Sequence, residues 1–383
     1  MKKFKKIGLY IISVLGFVMV LAIITGNAHL FNAVYCTYLQ GEKGPTIDDY
    51  TKFKNAEINP SNQPFKWALS KNYNKKTDQQ LLEKISDLQT VAFLIIKNDS
   101  IYFEHYWDQY SDTSFTNSFS MAKTFTALLI GAAIDDGLIT SVEDPVGKYL
   151  EPFKENKDLK IKHLLNMSSG INFDEDYKSP FGYMAKAYYG GDIKKLTFKY
   201  QPETKPGVEW KYLGGNTLLL SFIVEKVTQK PLSKYFEEKI WKKIGAERKA
   251  LWSLDNNNTE KAYCCFYANA RDFAKIGKLF IDFGKFENNQ ILDSAYVSNM
   301  MTPAKHLQYH SKPVDFYGWQ TWIADYKNLK VVYARGIQGQ YILTIPEKNI
   351  IIVRLGKMRS PELINNHPKD IFYYIDFALK ITS

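Results

Sequence analysis

At 383 residues the chain is too long for a minimal domain and suits one large or two modest folded units, and its 45% hydrophobic content is ordinary for a globular protein. A net charge of +10 raises nucleic acid as a partner, but the lysines are scattered, clustering only at Lys2 to Lys6 and at Lys75-Lys76. No nucleic-acid-binding motif occurs, so the excess reads as a solvated basic surface and excludes that class. The 3 cysteines, Cys36, Cys264 and Cys265, do not make a disulfide framework.

Residues 1–28 are set apart from the fold. Lys2, Lys3, Lys5 and Lys6 precede an uncharged, mostly apolar run from Ile7 to Ile24 that is just long enough to span a bilayer. The positive flank predicts the N-terminus in the cytoplasm and the remainder outside it, periplasmic or extracellular. Gly26-Asn27-Ala28 offers a cleavage point, but a retained transmembrane anchor is the favoured expectation over secretion after cleavage. Residues 29–85 are expected to be a wrapping connector, punctuated by Gly44-Pro45, Asn59-Pro60 and Gln63-Pro64.

Thr90 to Lys97 and Ser100 to Trp107, either side of Asn98-Asp99, predict a β-hairpin. Then comes Ser120-Met121-Ala122-Lys123, opening a run apolar on nearly every side from Phe125 to Ile134 and closed by Asp135-Asp136-Gly137. That pattern predicts a buried helix with Gly137 at its left-handed end. Ser120 and Lys123 lie one turn apart and share a face. An unpaired buried ammonium is costly, which marks the pair for function. A serine hydroxyl is a poor nucleophile until a base takes its proton, and lysine serves if its pKa falls from about 10.4 toward neutrality. Burial and the positive end of a helix both push it that way, and the helix N–H groups can also hold an oxyanion. Alone, Ser-x-x-Lys is a weak signal; the apolar helix behind it strengthens the reading.

Ile161 to Gly170 predicts a helix ended by Gly170. Residues 171–210 form aromatic-rich loops of the kind that border a cleft, and Asp174-Glu175-Asp176 reads as a solvated loop. Tyr212 sits at a turn before a second apolar helix, Thr217 to Thr228, where its hydroxyl can enter a cleft. Adjacent cysteines bridge only with strain, so Cys264 and Cys265 are expected as buried thiols. An amphipathic helix is predicted over Ala268 to Phe283. Strands follow at Trp319–Ala324, Lys330–Arg335, Tyr341–Ile345 and Ile350–Leu355, and Pro361 to Ile381 closes as a helix. His306 and His310 lack the glutamate of a metalloprotease helix and read as surface residues, and no Cys/His spacing reads as zinc.

Ser120-Met121-Ala122-Lys123, Gly131 to Gly137, His163 to Gly170, Tyr212 to Leu220, Arg271 to Lys275 and Gly336 to Gln340 together resemble the β-lactamase-related serine hydrolases, over roughly residues 86–357. The group includes penicillin-binding proteins, D-alanyl-D-alanine carboxypeptidases and related esterases. The resemblance implies an α/β fold, a mainly antiparallel sheet flanked by helices on both faces. It places the hydrolase domain at 86–383, with a mostly helical insertion about 140–230 and the site between. It implies Ser120 as nucleophile, Lys123 as proton acceptor and Tyr212 as acid–base partner. The backbone N–H groups of Ser120 and Ile337 would form the oxyanion hole, and Arg335, Gly336 and Gln340 would face substrate. It implies no metal and no cofactor, and a small-molecule or peptide-like substrate; oligomeric state is left open.

Two departures stand out. Many relatives carry Tyr-x-Asn, but Tyr212 is followed by Leu213-Gly214; many carry Lys-Thr-Gly or His-x-Gly, but here the triplet is Ala334-Arg335-Gly336. These resemble the branch of the 6-aminohexanoate-dimer hydrolases and family VIII-type esterases. The expected reaction is acyl transfer to Ser120, then hydrolysis, on an amide or ester. The alternatives are a D-alanyl-D-alanine carboxypeptidase, a β-lactamase, and a non-catalytic muropeptide-binding protein.

Overall fold

The computed structural model describes residues 2–383. A seven-stranded sheet runs, in spatial order, Trp322–Tyr326, Leu329–Gly336, Gln340–Ile345, Ile350–Gly356, Thr90–Lys97, Ser100–Tyr106 and Ala68–Leu69. Every pairing is antiparallel except the last, where Ala68 and Leu69 run alongside Ser100 and Ile101. The two ends of the chain meet at its centre, where Ile350 pairs with Lys97 and Arg354 with Phe93.

The central strands are apolar at successive positions because both faces are covered. Along Thr90–Lys97, Leu94 and Ile96 point into one core with Ile342, Ile351 and Val353. Phe93 and Ile95 point into a second core with Tyr341, Leu343 and Ile352. Helix Ala270–Ile281 covers the first face, close enough that a Cβ on Gly277 would lie 2.8 Å from Ile351 Cγ2. Helices Asp370–Thr382 and Gln79–Asp87 cover the second, with Phe377 edge-on to both Phe93 and Phe103. This is the β-lactamase/transpeptidase-like architecture. A four-stranded sheet of Asn55–Ile58, Ala250–Ser253, Phe266–Ala268 and Thr116–Asn117 lies beside it.

The helix over Ala122–Asp135 is buried from Ala122 through Ala133, and Gly137 closes it at φ +72°. Helix Gly214–Thr228 packs against it. Asp272, in the first turn of helix Ala270–Ile281, accepts the backbone N–H of Glu247 and Arg248 and pairs with the buried Lys275.

Four expectations need correction. The segment Lys2–Ile24 is helical, but among the described residues no helix is long and apolar enough to cross a membrane. Lysines occupy its first turns; the run from Ile7 to Ile24 would rise only about 27 Å against a hydrocarbon core of about 30 Å. Gly8, Tyr10, Ser13 and Gly16 dilute it further. The transmembrane anchor, the membrane as partner and the extracytoplasmic placement inferred from it therefore do not stand; Met1 of that segment lies outside the described residues. Second, Cys264 and Cys265 form a disulfide rather than two thiols. Cys265 takes φ +67°, turning its side chain back toward its neighbour. Third, the last helix starts at Asp370, because Leu363–Ile364 and His367–Pro368 pair as a small hairpin around Asn365-Asn366, both left-handed. Fourth, Ile161–Gly170 is helical only over Ile161–Leu165, since Met167 turns left-handed at φ +62°. His306 and His310 are exposed, in and beside a short hairpin.

Candidate active site

The segment entering the buried helix is fastened before it turns. Asn117 pairs with Tyr267, the N–H of Ser118 donates to the Phe266 carbonyl at 2.7 Å, and the N–H of Phe119 to Asn117 Oδ1 at 2.9 Å. Phe119 takes φ +43°, a conformation a bulky residue adopts only when its surroundings impose it. The end of strand Leu329–Gly336 imposes it: a Cβ on Gly336 would sit 2.3 Å from the Ser118 carbonyl oxygen, so only glycine permits the approach. Ser120 follows in a single 3₁₀ turn, half-buried at the wall of a cavity of ≈780 Å³.

Lys123 is 1% exposed. Its Nζ lies 2.9 Å from Ser120 Oγ and 2.9 Å from the Tyr263 carbonyl oxygen. It also lies 5.2 Å from the Tyr212 ring centroid and 5.5 Å from that of Tyr263. Both hydrogen-bonding partners are uncharged, so the lysine is buried with dipoles and π-faces.

Tyr212 lines the same cavity. Its ring packs 5.4 Å from Trp322 and 6.0 Å from Tyr317. The strand-like approach to it is pinned by Trp210 N–H to the Gln308 carbonyl and Lys211 N–H to the Met167 carbonyl, both at 2.8 Å. Helix Gly214–Thr228 then begins without a local cap. The carboxylate of Glu175, in the loop read as solvated, accepts the N–H of Gly214 and of Gly215 at 2.7 Å each. Burial pushes its pKa up, while those donors and nearby Lys123 oppose the shift. A Cβ at Gly214 would lie 3.3 Å from the Tyr263 ring and 3.5 Å from Glu175 Oε1, so ring and carboxylate crowd the place where many relatives carry an amide. A signal was available: Gly214-Gly215-Asn216 supplies helix N–H donors with no acceptor immediately before them.

Arg335, Gly336 and Ile337 reach the cavity with Ser120 and Tyr212. The Arg335 guanidinium stacks 3.2 Å from the Trp322 ring centroid and Nη1 donates to the Asn366 carbonyl at 3.1 Å. Gln340 does not reach it. Fully buried, its Nε2 donates to the carbonyls of Gly356 and Ile337, and its Oε1 accepts the Gly356 N–H. It holds the turn from behind. The remaining wall comes from Tyr177, Tyr188 and Tyr189, from Cys264, and from Ala33, Thr37 and Pro45 of the segment preceding the hydrolase domain.

Beneath Arg335, His367 Nδ1 is 2.7 Å from the Tyr333 hydroxyl, and burial, aided by Arg335, pushes its pKa down to about 3. The folded chain keeps this imidazole neutral, whereas the unfolded chain protonates it below its ordinary 6.5. Stability is therefore whole above pH 6.5 and falls as pH drops toward 3. By pH 5 this histidine alone accounts for a loss of about 2 kcal/mol. Urea unfolding at pH 7 and pH 5 should show it, with the gap smaller by that amount in His367→Asn. His163, pushed down to about 4 by burial, acts in the same direction.

Residues 79–363 match the family model described as Beta-lactamase. The 6-aminohexanoate-dimer hydrolase of Paenarthrobacter ureafaciens is 22% identical over 306 residues, covering 75% of this chain and 77% of that protein. Among solved structures, a Bacillus anthracis protein assigned to the 6-aminohexanoate-dimer hydrolases superposes with TM-score 0.75 at 22% identity, covering 86% of this chain and 92% of that one. A family VIII carboxylesterase superposes with TM-score 0.63 at 16% identity, covering 82% and 99%. The chain belongs to the beta-lactamase family of serine hydrolases.

Proposed function

We propose that the chain cleaves its substrate through a covalent acyl-Ser120 intermediate. The observation carrying this is the 2.9 Å contact between Lys123 Nζ and Ser120 Oγ at the wall of the cavity. In the first step the Lys123 amine takes the Oγ proton as Oγ attacks the carbonyl carbon. The oxyanion is held by the N–H groups of Ser120 and Ile337. Tyr212, whose ring lies beside Lys123, passes a proton to the leaving group. Water then hydrolyses the acyl-serine with the same groups in reverse. The wall is largely aromatic and aliphatic, with Lys43, Lys178, Arg335 and Arg359 the cationic groups on it. That favours an apolar acyl or leaving group, and the similarity to an aminohexanoate-dimer hydrolase and a carboxylesterase makes linear amides and simple esters the first substrates to try.

The test is labelling of purified protein with a fluorophosphonate probe, beside turnover of p-nitrophenyl esters, linear amides and nitrocefin. Labelling is expected in the wild type and absent in Ser120→Ala. A folded wild-type chain that neither labels nor turns over any of them would refute the reading. A second expectation concerns the wall contributed by helix His29–Cys36. Ala33→Trp fills cavity volume there, so kcat/KM for p-nitrophenyl octanoate should fall at least ~10-fold more than for the acetate, by steric exclusion of the longer chain. Equal losses on both esters would place the acyl chain elsewhere.

A further inference from the structure

Resting on the reading of Lys123 as the base, we propose that the Cys264–Cys265 disulfide is a positioning device for that lysine, so that its reduction slows turnover. The two sulfurs are bonded between adjacent residues, and Cys264 is on the cavity wall. The residue immediately before them is Tyr263, whose carbonyl is, among the described residues, the only backbone acceptor of Lys123 Nζ, at 2.9 Å.

Among the described residues, the surrounding loop leaves that carbonyl for the lysine alone. The Trp252 indole donates to the carbonyls of Lys261 and Cys264, at 3.2 and 3.1 Å. The N–H of Ser253 donates to the Cys265 carbonyl at 2.9 Å, and the N–H of Cys264 to the Lys261 carbonyl at 3.0 Å. Between these fixed points the Tyr263 carbonyl turns the other way, into the site. The turn depends on Cys265 holding φ +67°, a left-handed conformation that costs a non-glycine residue about 1 kcal/mol. A residue stays there only where its surroundings over-determine it. The covalent link to Cys264 is one such restraint. Cut it, and Cys265 is freer to return to an ordinary conformation, which rotates the preceding peptides and draws the Tyr263 carbonyl away from Nζ. The ammonium or amine then loses the anchor that aims it at Ser120 Oγ.

Reduction balances as thiol–disulfide exchange. A dithiol thiolate attacks one sulfur, the S–S bond breaks, and the mixed disulfide resolves to a cyclic oxidised dithiol and two cysteine thiols. Two electrons and two protons pass to the protein. Dithiothreitol is small enough to meet Cys264 from the cavity.

The experiment uses the full chain with p-nitrophenyl butyrate. Thiols titrated in denaturant should number one as isolated, from Cys36, and three after reduction. Dithiothreitol should lower kcat about tenfold or more, as displacement of a catalytic group does, with KM changing less than about twofold. Reoxidation with diamide should restore it. Cys264→Ser/Cys265→Ser should be slow from the outset and indifferent to dithiothreitol, with little change in its thermal midpoint. Cys36→Ser should respond as the wild type does. Should the double variant fail to fold, the reversible response of wild type and Cys36→Ser still decides. Three thiols in the isolated protein, or an unchanged kcat after complete reduction, overturns the proposal. If the reduced chain keeps full turnover and fluorophosphonate labelling still vanishes in Ser120→Ala, the device falls and the hydrolase reading stands. A wild type that labels in neither redox state removes the hydrolase reading, and this proposal with it.

Discussion

Lys123→Ala should lower kcat/KM on a p-nitrophenyl ester by ~10³-fold or more, with the thermal midpoint shifted by only a few degrees. The size follows from the base role proposed for the side chain. General-base assistance contributes about 10²–10⁴, and no other basic group is hydrogen-bonded to Ser120 Oγ among the described residues. The small structural cost follows from its partners. Removing the cation strips a hydroxyl and a carbonyl of a donor but breaks no direct ion pair, and the nearby Glu175 carboxylate keeps its two backbone N–H donors. Lys123→Arg should not rescue, because a guanidinium remains protonated and cannot accept the hydroxyl proton. Tyr212→Phe should keep the ring packing against Trp322 and Tyr317 and lose ~10²-fold through its proton transfer alone. The measurement is single-turnover acylation by p-nitrophenyl acetate. Acylation at near wild-type rate in Lys123→Ala would remove the lysine from the mechanism.

Much of this arrangement is legible along the chain, and the parts that are not share a physical cause. The helix Ala122–Asp135 is readable because its burial is intrinsic: no face from Phe125 to Ile134 is polar, so the chain around it must be core. The sheet strands are readable because both of their faces are dry. Glu175 is not, because its acceptor role is completed by Gly214 and Gly215, which are separated from it by a loop, and an acidic triplet in a polar loop is ordinarily solvated. The Cys264–Cys265 bond is not, because it goes with a left-handed Cys265, a conformation that no local sequence pattern signals. Gln340 misleads for the opposite reason: it lies in the substrate-facing motif, yet its amide is buried behind the turn, bonded to Ile337 and Gly356. The N-terminal run misleads because lysines take up the first turns of its helix, leaving too little apolar length to span a bilayer.

Arg354 is the residue whose loss should cost the fold most. It stands in the central strand Ile350–Gly356, fully buried, in a run that is otherwise apolar. No carboxylate is within ion-pair distance among the described residues; its guanidinium is spent on oxygen dipoles. Nε donates to Thr90 Oγ1 at 3.0 Å, Nη2 to the Leu88 carbonyl at 2.6 Å, and Nη1 to the carbonyls of Gln338 and Gly339 at 3.0 and 2.8 Å. Two glycines make room for it: a Cβ at Gly339 would lie 2.0 Å from Nη1, and one at Gly356 2.4 Å from Nη2. The fork thus ties the start of the first central strand to the turn that carries Ile337. Arg354→Met keeps the stem and deletes every donor, leaving buried acceptors unpaired at about 1–3 kcal/mol each, so destabilisation of at least ~3 kcal/mol is expected in urea unfolding. Well below the variant's melting temperature kcat should fall as well, because the 337–339 turn loses its support and the oxyanion donor proposed at Ile337, displaced by about an ångström, would stabilise little. Arg354→Lys retains the charge but reaches fewer of these oxygens, and should fall between the two. Stability of Arg354→Met within 1 kcal/mol of wild type would mean that water or a shifted strand replaces the fork, and that the Ile337 turn is held by Gln340 alone.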